Sequence, residues 1–366
     1  MSNLKGSVLI ALWFSLLFLP FKGPIAAATL FVSIVTIISI FFFLKRVKPD
    51  FRRLRIPEFY TSFKSYAVFT LFFFLILFPF IMKDYYIDVA ILAGIYIILA
   101  LGLNVVVGFT GLLNLGFVAF YAIGAYTYAL LNVKLGLSFW QSLPLCLLAS
   151  TVSGFILAIP ALRLRGDYLA IVTLGFGEIT RLILNNWDTL TGGPNGITGI
   201  ASPVIYGISM GRLNRYYYLI LLSVFICYKI IKRVRESRLG RAWIAIREDE
   251  ISAGAMGVNV TLYKLYAFSF GAFWAGLGGA LFAAKMQFVS PESFTFLESV
   301  LILCMVILGG LGSINGVIAG AVILVVLPEV LRGVQSYRML ALGSGLILMM
   351  IFRPQGLFVN LGDRKK

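Results

Sequence analysis

Uninterrupted apolar runs as long as a bilayer is thick decide most of what this chain can fold into. "VAILAGIYIILALGLNVVVGF", residues 89–109, is one of them. About 20 residues at a rise of about 1.5 Å cross a hydrocarbon core. Inside lipid each backbone N–H and C=O needs a partner within the chain, so such runs are helices. A β-barrel needs short alternating segments instead. The chain is 60% hydrophobic and only 13% charged, with a mean hydropathy of +0.96, which no water-soluble globule of this length shows. The expected fold class is all-α: a polytopic integral membrane helical bundle of about 10–12 transmembrane helices.

Two spans are read before residue 45, hinged at Lys22-Gly23-Pro24. A cleaved signal peptide with its core at Ser7–Phe21 is the alternative. Further spans are expected at about 66–82, 87–108, 111–131, 138–161, 168–186, 215–232, 265–284, 296–310, 314–331 and 338–352. Residues 1–85 form an N-terminal membrane extension of about three spans, residues 86–356 the main transmembrane domain, and residues 357–366 a cytoplasmic tail. The net charge of +16 fits basic loops held on the cytoplasmic side. Residues 45–64 carry seven basic residues against two acidic, and residues 229–247 carry seven Lys/Arg. Residues 187–214, poor in charge and rich in turn formers, fall outside. Nothing in this pattern suggests nucleic acid.

Chemistry is scarce. Histidine is absent, and Cys146, Cys227 and Cys304 sit in apolar stretches without ligand spacing. No metal site or disulfide is expected. No phosphate-binding G-x-x-x-x-G-K-[ST], H-E-x-x-H or G-x-S-x-G occurs, so no catalytic residue is named. The carboxylate in mid-span is Glu178, three residues from Arg181 on one helix face. The pair either lines a polar path or is a structural ion pair, and Gly175 and Gly177 allow a helix break there. Asn104, Thr110 and Asn114 either hydrogen-bond a passing zwitterion or repair broken backbone bonds. "GFTGLLN" (Gly108, Gly111, Asn114) and "GGLGSIN" (Gly309, Gly312, Asn315) share G-x-x-G-x-x-N, which is either an internal repeat with broken helices or a recurring glycine turn. Gly312, Gly316 and Gly320 suit close helix packing. A pump with its own ion relay needs several buried carboxylates or histidines, so the energy is expected from outside the chain.

Residues 232–264 are too polar to span. Within them residues 249–256 read as a short helix with acids in its first turn and Gly257 and Asn259 at its end. A solvated loop is the alternative.

"GRAWIAIREDEISAGAMGVNVTLYKLYAFSFGAFWAGLGGALFA" resembles the signature region of permease subunits of branched-chain amino-acid ABC importers. "LGLNVVVGFTGLLNLGFVAFYAIGAY", "LRLRGDYLAIVTLGFGEITRLIL", "TGGPNGITGI", "VILGGLGSINGVIAGA" and "FRPQGLF" resemble other parts of the same proteins. The likeness covers roughly residue 90 to the end. It implies an ABC permease domain over 86–356 in a multi-pass protein of the bacterial inner membrane, and a role in Leu/Ile/Val import. The implied partners are a second homologous permease, two cytoplasmic ATPase subunits, a periplasmic amino-acid-binding protein and membrane lipid. ATP-Mg would sit on the ATPase subunits and no cofactor on this chain. Coupling to the ATPase would use Arg247, Glu248, Asp249, Glu250, Ala253 and Gly257. This stretch departs from the E-A-A-x-x-x-G pattern of ABC importers, since Glu250 to Gly257 is one residue longer. The path candidates are Asn104, Thr110, Asn114, Glu178, Arg181 and Asn315. Gly192, Gly193, Pro194 and Asn195 are the candidate contacts for the binding protein. A urea- or amide-importing permease of the same group is the nearest alternative, and an ion-coupled secondary transporter a more distant one.

Overall fold

The computed structural model describes residues 75–330 apart from positions 163, 165 and 206, together with positions 343 and 356. The spans expected before residue 66 and at 338–352, most of the N-terminal extension and the tail 357–366 lie outside the described residues.

The architecture is a helical membrane bundle, as the apolar runs require. Helix α1 (Asp84–Leu103) continues into a π-helical turn, Asn104–Phe109. Then come α2 (Phe117–Leu135), α3 (Phe139–Ala161) and α4 (Asp167–Asn186). The segment after α4 holds the single turn α5 (Asp188–Thr191) and a 3-10 turn at Gly193–Asn195. Strands β1 (Ile197–Thr198), β2 (Val204–Ile205) and β3 (Ile208–Ser209) follow. Helix α6 (Leu213–Glu236) leads to α7 (Arg238–Glu248) and α8 (Glu250–Ala255). The long α9 (Val260–Met286) ends in β4 (Phe288–Val289), and α10 (Phe296–Gly309) and α11 (Ile314–Val330) complete the described order.

Among the described residues, four helical stretches are long and apolar enough to cross a membrane: Asp84–Phe109, Phe117–Leu135, Phe139–Ala161 and Val260–Met286. Helix α10, of 14 residues, is about 21 Å long at 1.5 Å per residue, and α11 runs from Ile314 to the edge of the described residues. Helices α10 and α11 meet at the turn Gly310–Ser313. Gly316 and Gly320 of α11 lie against Gly309 and the Met305 carbonyl, the close approach that small residues allow.

Two expectations need correction. The span expected at 111–131 starts at Phe117 and runs to Leu135, because Asn114 accepts the Gly116 amide at 2.9 Å in a turn that delays the helix. Helix α4 is continuous through Gly175 and Gly177, since no proline or competing acceptor interrupts its ladder.

Helix α9 is the spine. It packs along α2, α3 and α1, with Trp274, Ala275, Ala280 and Ala284 wholly buried. Its first half lies on the end of α3, where Gly154 faces Phe268 and Ala272. At the opposite end of the bundle the segment 187–212 forms an ordered cap. Ile197 pairs with Val289 and Thr198 with Phe288 in an antiparallel β1–β4 contact. Tyr128 donates to the Ala201 carbonyl at 2.6 Å, and Trp140 to the Val204 carbonyl at 2.9 Å. Lys285 and Asp88, 2.7 Å apart, tie α9 to α1 there.

Candidate functional site

The basic end of the bundle carries the site. Helix α6 brings down Lys229, Lys232, Arg233 and Arg235, and α7 follows after Ser237. Amphipathic α7 turns Trp243 and Ile246 inward. The Trp243 indole donates to the Tyr263 carbonyl at 2.8 Å, which fixes α7 on the first turn of α9.

Helix α8 has six residues, too few to persist alone. Four features hold it. The Asp249 carboxylate accepts from the Ile251 and Ser252 amides at 2.8 and 3.1 Å, an N-cap. Gly257, at a φ of 86°, ends the helix while the Val258 amide reaches back to the Ala253 carbonyl at 3.1 Å. Ala253 is buried. Glu250 and Lys264 form an ion pair at 2.8 Å, with the Lys264 side chain 2% exposed.

The remaining candidates divide by place. Glu248 is exposed at the end of α7. The Arg247 guanidinium turns toward the bundle and donates to the Gly108 carbonyl at 2.7 Å, where the π turn of α1 ends. Asn104, fully buried, accepts the Gly312 amide at 2.9 Å. Thr110 donates to the Val106 carbonyl. The polar groups of Asn104, Thr110 and Asn114 are thus spent on interrupted backbone, although the Nδ2 atoms of Asn104 and Asn114 find no partner among the described residues. The two G-x-x-G-x-x-N stretches meet here. Their middle glycines, Gly111 and Gly312, both have positive φ, but Asn114 caps a turn while Asn315 is exposed at the start of α11.

Glu178 and Arg181 pair at 2.9 Å, each side chain about a third exposed (33% and 32%). Gly192 and Gly193 occupy left-handed conformations in the cap 187–212, with Pro194 and Asn195 exposed. Two charged groups escaped the sequence reading. Glu298, in the first turn of α10, accepts from the Tyr96 hydroxyl at 2.7 Å. It is the single acid in the apolar run 296–310, and that was its signal. Lys264 sits one residue before the expected span 265–284, where a lysine reads as a snorkelling boundary residue.

The Asp249 carboxyl lies below its ordinary 3.8, because the Ser252 amide and hydroxyl and then the Ile251 amide bond its charged form. A lowered folded pKa contributes stability that is present above the unfolded value and lost as pH falls through the folded one. Wild-type α8 amides are therefore expected to lose hydrogen-exchange protection below a pH of about 3.8, after correction for intrinsic rates. Asp249→Asn keeps the cap and removes the cap's share of that dependence, whereas Asp249→Ala loses protection already at neutral pH.

The chain matches the family model described as branched-chain amino acid transport system / permease component over residues 85–353. It is 51% identical over 302 residues to the high-affinity branched-chain amino acid transport system permease protein LivM of Salmonella typhimurium, covering 76% of this chain and 71% of that protein. The Escherichia coli protein of the same name is 50% identical with the same coverage. A probable branched-chain amino acid transport permease of Methanocaldococcus jannaschii is 24% identical over 315 residues, covering 72% of this chain and 90% of that one. No solved structure matches. The long apolar helices, the interrupted ones and these likenesses agree: the chain is a multi-pass membrane protein and belongs to the family of branched-chain amino acid transport permease components.

Proposed function

We propose that this chain is one of two permease subunits of an ATP-driven importer that carries leucine, isoleucine and valine across a bacterial inner membrane. Two cytoplasmic ATPase subunits hold ATP-Mg and grip the α7–α8 segment. A second homologous permease completes the path, and a periplasmic amino-acid-binding protein docks on the cap around Gly192–Asn195. This chain binds no cofactor.

One observation carries the reading beyond the family. In the spans, exposed apolar side chains such as Leu148, Phe155, Ile156 and Phe225 suit lipid. In the α7–α8 segment, which is too polar for lipid, Ile251 is 74% and Met256 84% exposed. Covering one such side chain is worth about 1.5–3 kcal/mol. A small capped helix that holds an isoleucine and a methionine out into water is suited to insertion in a partner's groove. Glu178–Arg181 supports the second permease. A partly exposed ion pair is costly against hydrocarbon, yet the same helix exposes Ile171, Ile179 and Leu182. A polar path or a partner beside α4 satisfies both.

The relatives reported above favour branched-chain amino acids over urea or amides. In liposomes holding the whole complex and its binding protein, tritiated leucine is expected to accumulate with ATP and not with an ion gradient alone. Ile251→Asp/Met256→Asp is expected to insert normally but to lose the ATPase subunits on purification, by about 100-fold in affinity if about 3 kcal/mol of contact goes. Undiminished ATP-dependent uptake by that variant overturns the docking assignment.

A further inference from the structure

We propose that Arg247 is a positioning residue that transmits displacement of the cytoplasmic segment to both interrupted-helix turns of the bundle at once. The proposal rests on the reading of α7–α8 as the segment gripped by the ATPase, and extends it inward.

Three stretches distant in sequence meet at this guanidinium. Its Nη1 donates to the Gly108 carbonyl at 2.7 Å. That carbonyl lies at the C-terminal, partially negative end of the π turn, where a cation is favoured. The same Nη1 lies against the Gly310–Ser313 turn, so close that a Cβ on Gly312 would stand 3.0 Å from it. Its Cγ lies beneath Gly111, where a Cβ would stand at 3.2 Å. The two turns are also bonded to each other, through the Gly312 amide and Asn104 Oδ1 at 2.9 Å. Trp243, four residues before Arg247 and so on the same face of α7, fixes that helix to α9. A rotation of α7 therefore pulls on the end of α1 and on the α10–α11 turn together.

The junction is built to occupy more than one arrangement. A π turn has left the ordinary i to i−4 register and is a common site of local rearrangement. Gly312, at a φ of 80°, is free of the Cβ restriction. Asn104 Nδ2 is buried with no partner among the described residues, a cost that a second arrangement can relieve. Two linked turns with one unsatisfied donor form a two-state element that a remote segment can bias.

The test uses the full complex in liposomes with its binding protein, and reads tritiated leucine taken up per ATP hydrolysed. With Arg247→Ala, the ATPase subunits are expected to co-purify while uptake per ATP falls about tenfold, within the range by which such linking residues alter coupling. Arg247→Lys keeps one donor and restores part of the ratio. Adding Asn104→Ala to Arg247→Ala lowers the ratio little further, because both act on one junction. Three results overturn the proposal: an unchanged ratio, a parallel fall in uptake and ATP hydrolysis with loss of thermal stability, or loss of the ATPase subunits. The Ile251/Met256 variant separates the two ideas. If it keeps the ATPase subunits bound, the docking reading fails whatever Arg247 does.

Discussion

Replacing Gly279 with leucine is expected to abolish recovery of folded protein, and with alanine to lower its thermal stability in detergent measurably. Gly279 lies where α9 crosses α2 backbone to backbone. A Cβ there would stand 2.6 Å from the Ala125 amide nitrogen and closer still to the Tyr121 carbonyl. Neither atom can rotate aside, so the helices must separate. The same crossing uses Gly124 against the Gly276 carbonyl, at 2.5 Å from a Cβ, and Gly276 against Ser150 of α3, at 2.5 Å from its Oγ. In lipid there is little hydrophobic drive between helices, so close van der Waals contact supplies the association. Prising α9 from α2 also loosens α3, which shares the contact. Over-packing by one methyl costs about 1–3 kcal/mol, and contact with rigid backbone places alanine at the upper end. Leucine has no rotamer that escapes. Gly175→Ala is the control. It stands mid-helix in α4 with open space around its position, so alanine there gains about 1 kcal/mol of helix propensity. Equal loss of thermal stability in the two alanine variants would show that the α9–α2 approach is not the source of stability.

That asymmetry was not readable from the sequence, where both residues are glycines inside apolar runs. Periodicity and run length expose what each helix owes to lipid, so α1, α2, α3 and α9 were legible as spans. Local capping chemistry was legible too. The acids around Asp249 and the glycine at 257 marked α8 before any coordinates. What remained hidden depends on partners far away in the chain. Asn104 meets Gly312 across 208 positions, and Arg247 meets Gly108 across 139. Nothing local in "GFTGLLN" announces a guanidinium from α7. Arg247, Glu248, Asp249 and Glu250 read as one charged cluster facing a partner. The structure bonds the exposed Arg247 to the Gly108 carbonyl, turns Glu250 to Lys264, spends Asp249 on a cap and leaves Glu248 in the open. The large apolar side chains exposed at the tip are Ile251 and Met256, which a search for charges passes over.

Glu250→Ala is expected to detach α8 from the bundle, and Glu250→Ala/Lys264→Met to reattach it. The single change leaves an ammonium only 2% exposed with its carboxylate removed. Breaking a buried pair from one side costs about 3–5 kcal/mol, whereas replacing both charges with apolar groups is often neutral. The Glu250 side chain is 26% exposed, so water partly screens the pair and the lower end, about 3 kcal/mol, applies. A six-residue helix has no reserve to absorb that loss. The Asp249 cap remains, but it orders the first turn without attaching it to α9. Hydrogen exchange of residues 250–256 reads the outcome directly, with protection falling by about 100-fold in the single variant and recovering in the double one. Uptake discriminates further. If Glu250 served mainly as a contact for the ATPase, the double variant would stay inactive, because the carboxylate is still missing. If it serves to hold Ile251 and Met256 at the right height above α9, removing the lysine's charge restores transport without restoring the acid.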